Sequence, residues 1–330
     1  MNKILVLLTG GTIACEKTSS GLVPLNGEEF FKNILKEISD DEFDVKDLMS
    51  IDSSDMGCDQ WNIIGDEICS RKDDYTGIIV CHGTDTMAYT ASALSFMLQN
   101  IKIPVVLTGS QRPACEKDSD GYSNISLAIQ TAKSGLCGVF VAFYDKIISG
   151  THCVKTHTLS DNAFESINYP YTAIYKNGTQ LEINSESLYK SNAEFEYSNI
   201  ANSRVLLLKL TPDMDTGIFE YIIKSKFDGV IIECFGLGGI SFKFNNTVKS
   251  IEKLIKNNIP VVLCSQCLYE KSDFKVYESG LLALNTGAIE SGIMTTEAVY
   301  AKLKWVLTKT RDIETIRKYF KTNFVGELGN

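Results

Sequence analysis

The sequence predicts an α/β protein of two domains: a larger N-terminal doubly wound (Rossmann-like) sheet and a smaller C-terminal parallel-sheet domain. Three observations predict this class. Short apolar runs alternate with amphipathic segments, a polar stretch interrupts that alternation once, and 330 residues suffice for two domains. Strands buried on both faces of a parallel sheet are continuous Val/Ile/Leu runs rather than alternating ones.

The first part of the chain follows a β-α-β order. Its apolar runs and amphipathic segments predict strands at Ile4–Leu8, Gly77–Cys81, Val105–Thr108 and Gly138–Phe143, and helices at 27–38, 87–99 and 124–133. The first run is very short and no small-residue cleavage site follows it, so it is interpreted as a buried strand rather than a signal peptide. No later apolar stretch approaches the length of a membrane span.

A polar, aperiodic stretch at residues 177–203 predicts an interdomain linker. We therefore expect domains at 1–185 and 204–330, joined by residues 186–203. The second domain repeats the α/β pattern, with strands predicted at Val205–Leu210, Gly229–Cys234 and Pro260–Cys264 and helices near 216–225, 246–257 and 296–307.

Charge and cysteine usage restrict the classes of partner and compartment. The net charge is −9, which argues against nucleic-acid and anionic-membrane partners, because both require a concentrated basic surface. The 10 cysteines are scattered along a long chain, so we interpret them as reduced, buried thiols of a cytoplasmic protein. Cys264 and Cys267 form the one C-x-x-C, without the second ligand pair that zinc needs, so no metal is expected.

The loops that follow the predicted strands carry the chemistry, since ligands of open α/β sheets bind outside the carboxyl ends of the strands. After the first strand, Gly10 and Gly11 permit a tight turn that presents Thr12. This loop lacks the G-x-G-x-x-G pattern, which disfavours a dinucleotide site. After the second buried strand come Thr84, Asp85 and Thr86; either Asp85 or Thr86 can cap the next helix, a role that does not require Thr84.

Two threonines at neighbouring strand ends suit the hydrolysis of an amide. A neutral amide is a poor electrophile, so its hydrolysis needs an activated nucleophile, an oxyanion site of backbone N–H groups and a proton donor for the leaving ammonia. A threonine hydroxyl is inert at neutral pH unless a base takes its proton. Lys155 is a candidate to complete such a relay with Asp85.

Together these segments resemble the L-asparaginase superfamily. Thr9–Ala14 resembles its first signature and His82–Met87 its second. Four further stretches resemble the bacterial type I, cytoplasmic branch: residues 51–56, 107–111, 162–166 and 265–267. The resemblance covers nearly the whole chain and implies hydrolysis of L-asparagine to L-aspartate and ammonia, no cofactor or metal, and a homodimer or homotetramer.

The resemblance also implies roles for individual residues. Thr12 matches the primary nucleophile, which forms an acyl-enzyme, and Thr84 matches the second catalytic threonine. Lys155 and Asp85 match the pair that assists proton transfer.

For the substrate, the resemblance implies that Ser53 binds the α-carboxylate, with Ser54 in the same pocket. Asp85 would hold the α-ammonium, and Thr84 would complete the binding site. Cys267 matches a cysteine near a second, allosteric asparagine site of the type I branch. Equilibrium coupling requires two sites and two states, so a hyperbolic asparagine curve would argue against such control.

The chain departs from the family pattern at two places. Leu22 stands where many members have a tyrosine that helps to activate the nucleophile, and we hypothesise that Tyr277 of a neighbouring subunit contributes instead. The Ser/Gly-rich loop at residues 16–25 predicts a lid that orders over substrate. Residues 235–239 lack the asparagine that reaches the partner's active site in some relatives.

Other functions remain open on this sequence. An enzyme of mixed glutaminase and asparaginase specificity is the nearest, since one extra methylene changes binding by only about 1–3 kcal/mol. Relatives that act on misacylated transfer RNA carry an additional N-terminal domain, whereas this sequence starts at the first strand. A catalytically silent amino-acid-binding module and a nucleotide-binding oxidoreductase are the alternatives from other classes.

Overall fold

The computed structural model describes residues 3–18, 21–24, 27–116, 118–176 and 180–329, with backbone alone for 14–18 and 21–24. It divides into two compact units, residues 1–199 and 200–330. Among the described residues, no helix has the length and apolar character needed to cross a membrane.

The first unit contains four α-helices and fourteen strands in its described part. The strands are β1 (Lys3–Gly10), β2 (Cys15–Thr18), β3 (Gly21–Pro24), β4 (Glu42–Ile51), β5 (Gly77–Cys81), β6 (Leu98–Gln99), β7 (Pro104–Thr108), β8 (Gly138–Phe143), β9 (Lys146–Ser149), β10 (Cys153–Lys155), β11 (Phe164–Ser166), β12 (Ala173–Lys176), β13 (Gln180–Ile183) and β14 (Glu196–Tyr197). The helices are α1 (Gly27–Ile38), α2 (Cys58–Arg71), α3 (Met87–Met97) and α4 (Gly121–Ala132).

Eight of these strands form one sheet, in the order β13-β12-β9-β8-β7-β5-β1-β4. The part from β8 to β4 is parallel, and β9, β12 and β13 add antiparallel strands at one side. β5 and β7 are buried along their whole length because helices cover the sheet, which is why their sequences are continuous apolar runs.

The order of the parallel strands creates a crevice next to β1. From β1 the chain crosses to β4 on one side and then returns to β5 on the other side of β1. Connections that leave neighbouring strands in opposite directions open a ligand-binding crevice at the carboxyl ends. The Thr9 hydroxyl donates to the Cys81 carbonyl oxygen at 2.9 Å and holds these two strand ends together.

The structure differs from the sequence-based expectation at the end of one predicted helix and at elements that the sequence did not predict, such as β4 and α2. The helix predicted at 87–99 ends at Met97, because Asn100 has a φ of +59° and β6 pairs with β14 instead. β4 was not predicted, since it is an edge strand in which only Val45 is buried. The pairing of β14 also gives the predicted linker, residues 186–203, a strand that belongs to the first unit; the boundaries at 185 and 203 stay predictions.

The second unit is a four-stranded parallel sheet in the order β15-β16-β17-β18, covered by helices. Its strands are β15 (Val205–Lys209), β16 (Gly229–Cys234), β17 (Val261–Ser265) and β18 (Ile289–Glu290); its helices are α5 (Gly217–Lys224), α6 (Thr247–Lys256), α7 (Glu278–Asn285), α8 (Thr296–Val306) and α9 (Ile313–Lys321). The predicted fold class, a larger doubly wound sheet followed by a smaller parallel one, is confirmed.

The interpretation of the cysteines as buried thiols is correct in part. Among the cysteines whose side chains the structure describes, five are buried: Cys58, Cys81, Cys153, Cys234 and Cys264. It is wrong for three exposed cysteines, Cys115, Cys137 and Cys267. Within the C-x-x-C motif, Cys264 therefore lies inside the fold at the end of β17, whereas Cys267 faces solvent.

Candidate active site

The loops after β1 and β5 touch through their glycines. Gly11 has a φ of +86°, and a Cβ atom placed on it would lie 2.5 Å from the Gly83 backbone nitrogen. Only glycine allows both this conformation and this approach. Thr12 and Thr84 each follow one of the two glycines, so the contact brings both predicted threonines to the same edge of the sheet.

The loop after β4 packs against the same place. A Cβ atom on Gly83 would lie 2.6 Å from the Ser53 hydroxyl oxygen, and Thr86 donates to the Ser53 carbonyl oxygen at 2.7 Å. The Asp52 carboxylate accepts the Ser54 backbone N–H at 2.8 Å and begins a short 3-10 helix at residues 53–55; this hydrogen bond lowers the pKa of Asp52. Ser53 is buried, whereas Ser54 is exposed.

Lys155 joins the loop after β5 from a different part of the fold. It ends β10, which pairs with β11 in an antiparallel ladder. Its ammonium donates to the Thr84 hydroxyl at 2.8 Å and to the Asp85 carboxylate at 2.6 Å. The Lys155 side chain is 17% exposed and that of Asp85 is 70% exposed, so Lys155 is largely shielded from solvent whereas Asp85 faces it.

A buried hydrogen-bond chain supports the Thr84 loop from behind. His82 is fully buried, with Nδ1 at 2.7 Å from the Gly83 carbonyl oxygen and Nε2 at 2.9 Å from the Thr90 hydroxyl, which accepts the Trp61 indole N–H at 2.9 Å. Because the Gly83 carbonyl can only accept, Nδ1 carries the proton and Nε2 accepts from Thr90. Burial lowers the pKa of His82 to about 4, so the ring is neutral near pH 7.

The sequence did not assign roles to two residues that contact this loop, His82 and Gln111. The Thr84 hydroxyl lies 3.2 Å from the Gln111 side-chain oxygen. Both residues lie in the motifs after β5 and β7, so their position at strand ends was the available signal. Their partners are distant in sequence, which is why the motifs alone did not indicate what they bind.

Several other predicted residues are not joined to this cluster by a described contact. Cys267 and Tyr277 lie in the second unit and are exposed; the Cys267 N–H donates to the Ser265 hydroxyl at 2.9 Å. In its described part, the predicted lid consists of two antiparallel strands, β2 and β3, with Leu22 in β3. Residues 19, 20 and 25 of that prediction lie outside the described residues.

The arrangement as a whole offers acid–base chemistry at a strand-end crevice. One hydroxyl, that of Thr84, lies within hydrogen-bond distance of an amine that is itself paired with a carboxylate. This is the geometry of a nucleophile or proton carrier with a base and an orienting group. In the part of the chain that the structure describes, no cluster of three or more His, Cys, Asp or Glu side chains is placed to hold a metal ion.

Comparison with known proteins gives matches over both units. Residues 3–189 match the family model described as "Asparaginase, N-terminal", and residues 204–320 match the "Glutaminase/Asparaginase C-terminal domain". The L-asparaginase of Thermococcus kodakarensis is 38% identical over 328 residues, covering 99% of each chain, and its solved structure matches with a TM-score of 0.93.

Two further relatives carry different names. The structure of L-asparaginase I from Vibrio cholerae has a TM-score of 0.89 at 28% identity, covering 100% of this chain and 99% of its own. One subunit of the glutamyl-tRNA(Gln) amidotransferase of Pyrococcus abyssi is 33% identical over 340 residues, covering 99% of this chain and 76% of that protein.

Proposed function

Because this chain belongs to the asparaginase family, we propose that it hydrolyses the side-chain amide of L-asparagine to L-aspartate and ammonia. The observation that carries the proposal is the contact of the Lys155 amine with the Thr84 hydroxyl at 2.8 Å and with the Asp85 carboxylate at 2.6 Å. Family membership alone is shared with an amidotransferase, so the proposal depends on this cluster.

The proposed reaction has two halves. The Thr12 hydroxyl oxygen attacks the carboxamide carbon and forms a C–O bond with it. The C–N bond then breaks, and ammonia leaves with a proton from the relay. Water then hydrolyses the acyl-enzyme and releases aspartate. In its neutral form Lys155 takes the Thr84 proton, Thr84 takes the proton of the attacking group, and Asp85 stabilises the ammonium that forms on Lys155.

The substrate's charged groups would bind at the outer side of the cluster. The Asp85 carboxylate is 70% exposed and would pair with the α-ammonium. Ser53, packed against Gly83, would bind the α-carboxylate, with Ser54 and Thr84 beside it. An exposed carboxylate next to the Ser53 and Ser54 hydroxyls suits a free amino acid, which carries both an α-ammonium and an α-carboxylate.

Glutamine is a second candidate substrate of the same site. The second family model is described as a glutaminase and asparaginase domain, and a longer side chain adds one methylene, which changes binding by only about 1–3 kcal/mol. The chain would then have mixed specificity. A catalytically silent amino-acid-binding module is the remaining alternative from the sequence.

The proposal extends to properties beyond the cluster. A homodimer or homotetramer, a cytoplasmic location, a regulatory role of Cys267 and a contribution of Tyr277 from a neighbouring subunit all come from the sequence resemblance. Both residues are exposed, which makes them accessible to a second chain or a ligand.

Ammonia release from L-asparagine and L-glutamine tests the proposal. We expect Thr12→Ala, Thr84→Val and Lys155→Met each to lower kcat/KM for asparagine by about 10²–10⁴-fold, the range for loss of acid–base or nucleophilic groups. Thr156→Val is the matched control, because the Thr156 hydroxyl bonds Glu165 at 3.1 Å rather than the cluster.

Intact-mass measurement of quenched reactions separates the two halves. Because Thr84 takes the proton of the attacking group in both halves, Thr84→Val should form the covalent aspartyl adduct slowly and hydrolyse it slowly, whereas Thr12→Ala should form none. Background rates of ammonia release from both amides in the wild-type protein would refute the hydrolase function. A loss of activity in Thr156→Val equal to that in Thr84→Val would show that catalysis does not depend on the contacts between Thr84, Lys155 and Asp85.

A further inference from the structure

Gln111, in the loop after β7, holds a fixed orientation beside Thr84. Its side-chain nitrogen donates to the carbonyl oxygens of Thr158 and Ser160, both at 3.2 Å. Carbonyl oxygens only accept, so the NH₂ group must face them and the amide oxygen must face Thr84, at 3.2 Å from its hydroxyl. The direction of the amide is therefore determined by its partners.

This orientation decides where the Thr84 proton points. The Lys155 ammonium is a donor without acceptor capacity, so the Thr84 oxygen accepts on that side at 2.8 Å. The single hydroxyl proton of Thr84 then has the Gln111 oxygen as its acceptor. Gln111 thus holds the Thr84 hydroxyl oxygen at hydrogen-bond distance from Lys155 while the amine is protonated; when the amine is neutral, the same oxygen position lets the Thr84 proton turn to it.

Gln111 is itself anchored through its backbone. Its N–H lies 2.9 and 3.1 Å from the two carboxylate oxygens of Asp120, which also accept the Asn124 side-chain amide at 3.1 Å. Asp120 is 7% exposed and stands directly before α4. A buried carboxylate with several N–H donors is a rigid support, so Gln111 is held at both ends.

The same side chain connects the two segments that must be aligned. Thr158 and Ser160 follow the strand that ends with Lys155, whereas Thr84 follows β5. Gln111 therefore bridges the chain carrying the base and the chain carrying the hydroxyl. Small displacements between reacting groups have large effects on rate, about 100-fold for about 1 Å.

We propose that Gln111 is a positioning residue of the hydrolytic site: its amide oxygen orients the Thr84 hydroxyl and its amide nitrogen aligns the Lys155 segment with it. This role deepens the proposed function and rests on it. Gln111 needs no contact with substrate for the role, so its loss should appear in kcat more than in KM.

Three variants test the proposal by steady-state kinetics on asparagine. Gln111→Met keeps the length of the side chain and removes its hydrogen bonds; we expect kcat to fall about 10–100-fold with KM within about 3-fold. Arg112→Met is the control, because the Arg112 side chain ties the same loop to Asp161 at 2.9 Å without contacting Thr84. It should keep the wild-type kcat.

Gln111→Glu separates positioning from a merely structural role. Its carboxylate still accepts from Thr84 but no longer donates to the Thr158 and Ser160 carbonyl oxygens, so the variant keeps one half of the role and should retain more activity than Gln111→Met. Equal losses of kcat in both variants would overturn the proposal, as would a wild-type kcat in Gln111→Met.

A crystal structure of Gln111→Met gives a readout that needs no turnover. We expect the Thr84 side chain to rotate and its hydroxyl to leave hydrogen-bond distance of Lys155. An unchanged contact with Lys155 would refute the positioning role even for an inactive protein. Absence of ammonia release by the wild type would instead refute the proposed function, so the two failures are distinguishable. If Gln111→Met does not fold, the kcat and the structure of Gln111→Glu decide.

Discussion

The contact between Gly11 and Gly83 gives the sharpest prediction about the site, because replacing Gly11 by alanine perturbs it without altering any polar group. A Cβ atom at residue 11 would lie 2.5 Å from the Gly83 nitrogen, 2.6 Å from its Cα and 3.0 Å from the His82 carbonyl carbon. All three are backbone atoms, so no side-chain rotation relieves the contact. One of the two loops must move.

The magnitude follows from two separate costs. Alanine at a φ of +86° costs about 1–2 kcal/mol for the left-handed conformation, and forcing the backbones apart costs about 1–3 kcal/mol more. The sum is about 2–5 kcal/mol. Gly135 supplies the control, since it has a φ of +74° and no described atom lies within 4 Å of the position of its Cβ. Gly135→Ala should therefore cost about 1–2 kcal/mol.

Urea unfolding followed by far-ultraviolet circular dichroism, together with ammonia release, measures both effects. We expect Gly11→Ala to be less stable than Gly135→Ala. We also expect its kcat to fall about 100-fold, because the added methyl group pushes apart the loops that carry Thr12 and Thr84, and a displacement of about 1 Å is enough for such a loss. Gly135→Ala should keep the wild-type kcat. Equal destabilisation of the two variants, with kcat unchanged in both, would refute the conclusion that this approach aligns the threonines.

Two further predictions concern buried ionisable groups. Burial lowers the pKa of His82 from 6.5 to about 4. The contribution of His82 to the free energy of unfolding is therefore complete above about pH 6.5 and is lost as the pH falls towards 4, by at most about 3 kcal/mol. Urea unfolding at pH 7 and at pH 4.5 should show this loss in the wild type and a smaller loss in His82→Asn. Lys302 and Glu327 form a fully buried ion pair at 2.5 Å. Lys302→Met should lower the free energy of unfolding by about 3–5 kcal/mol, because it leaves the Glu327 carboxylate uncompensated, and adding Glu327→Gln should restore part of that loss. Urea unfolding that shows no recovery in the double variant would contradict this account.

The fold was largely predictable because its signals are local. The runs Gly77–Cys81 and Gly138–Phe143 were assigned as strands with the bounds that the structure gives, since strands buried on both faces need an unbroken apolar sequence. β4 was missed for the opposite reason. Its polar and apolar residues alternate irregularly because an edge strand is half exposed, and no local pattern marks it.

The sequence by itself determined that Thr12 and Thr84 lie at strand ends, because glycine turns and buried strands have patterns that are visible in consecutive residues. It could not determine their partners. Lys155 lies 71 positions from Thr84 and Gln111 lies 27 positions from it, and contacts across such separations depend on sheet order and register. Only the tertiary structure brings these side chains within hydrogen-bond distance and buries His82 enough to keep it neutral, since both effects arise from packing between segments that are distant in the chain.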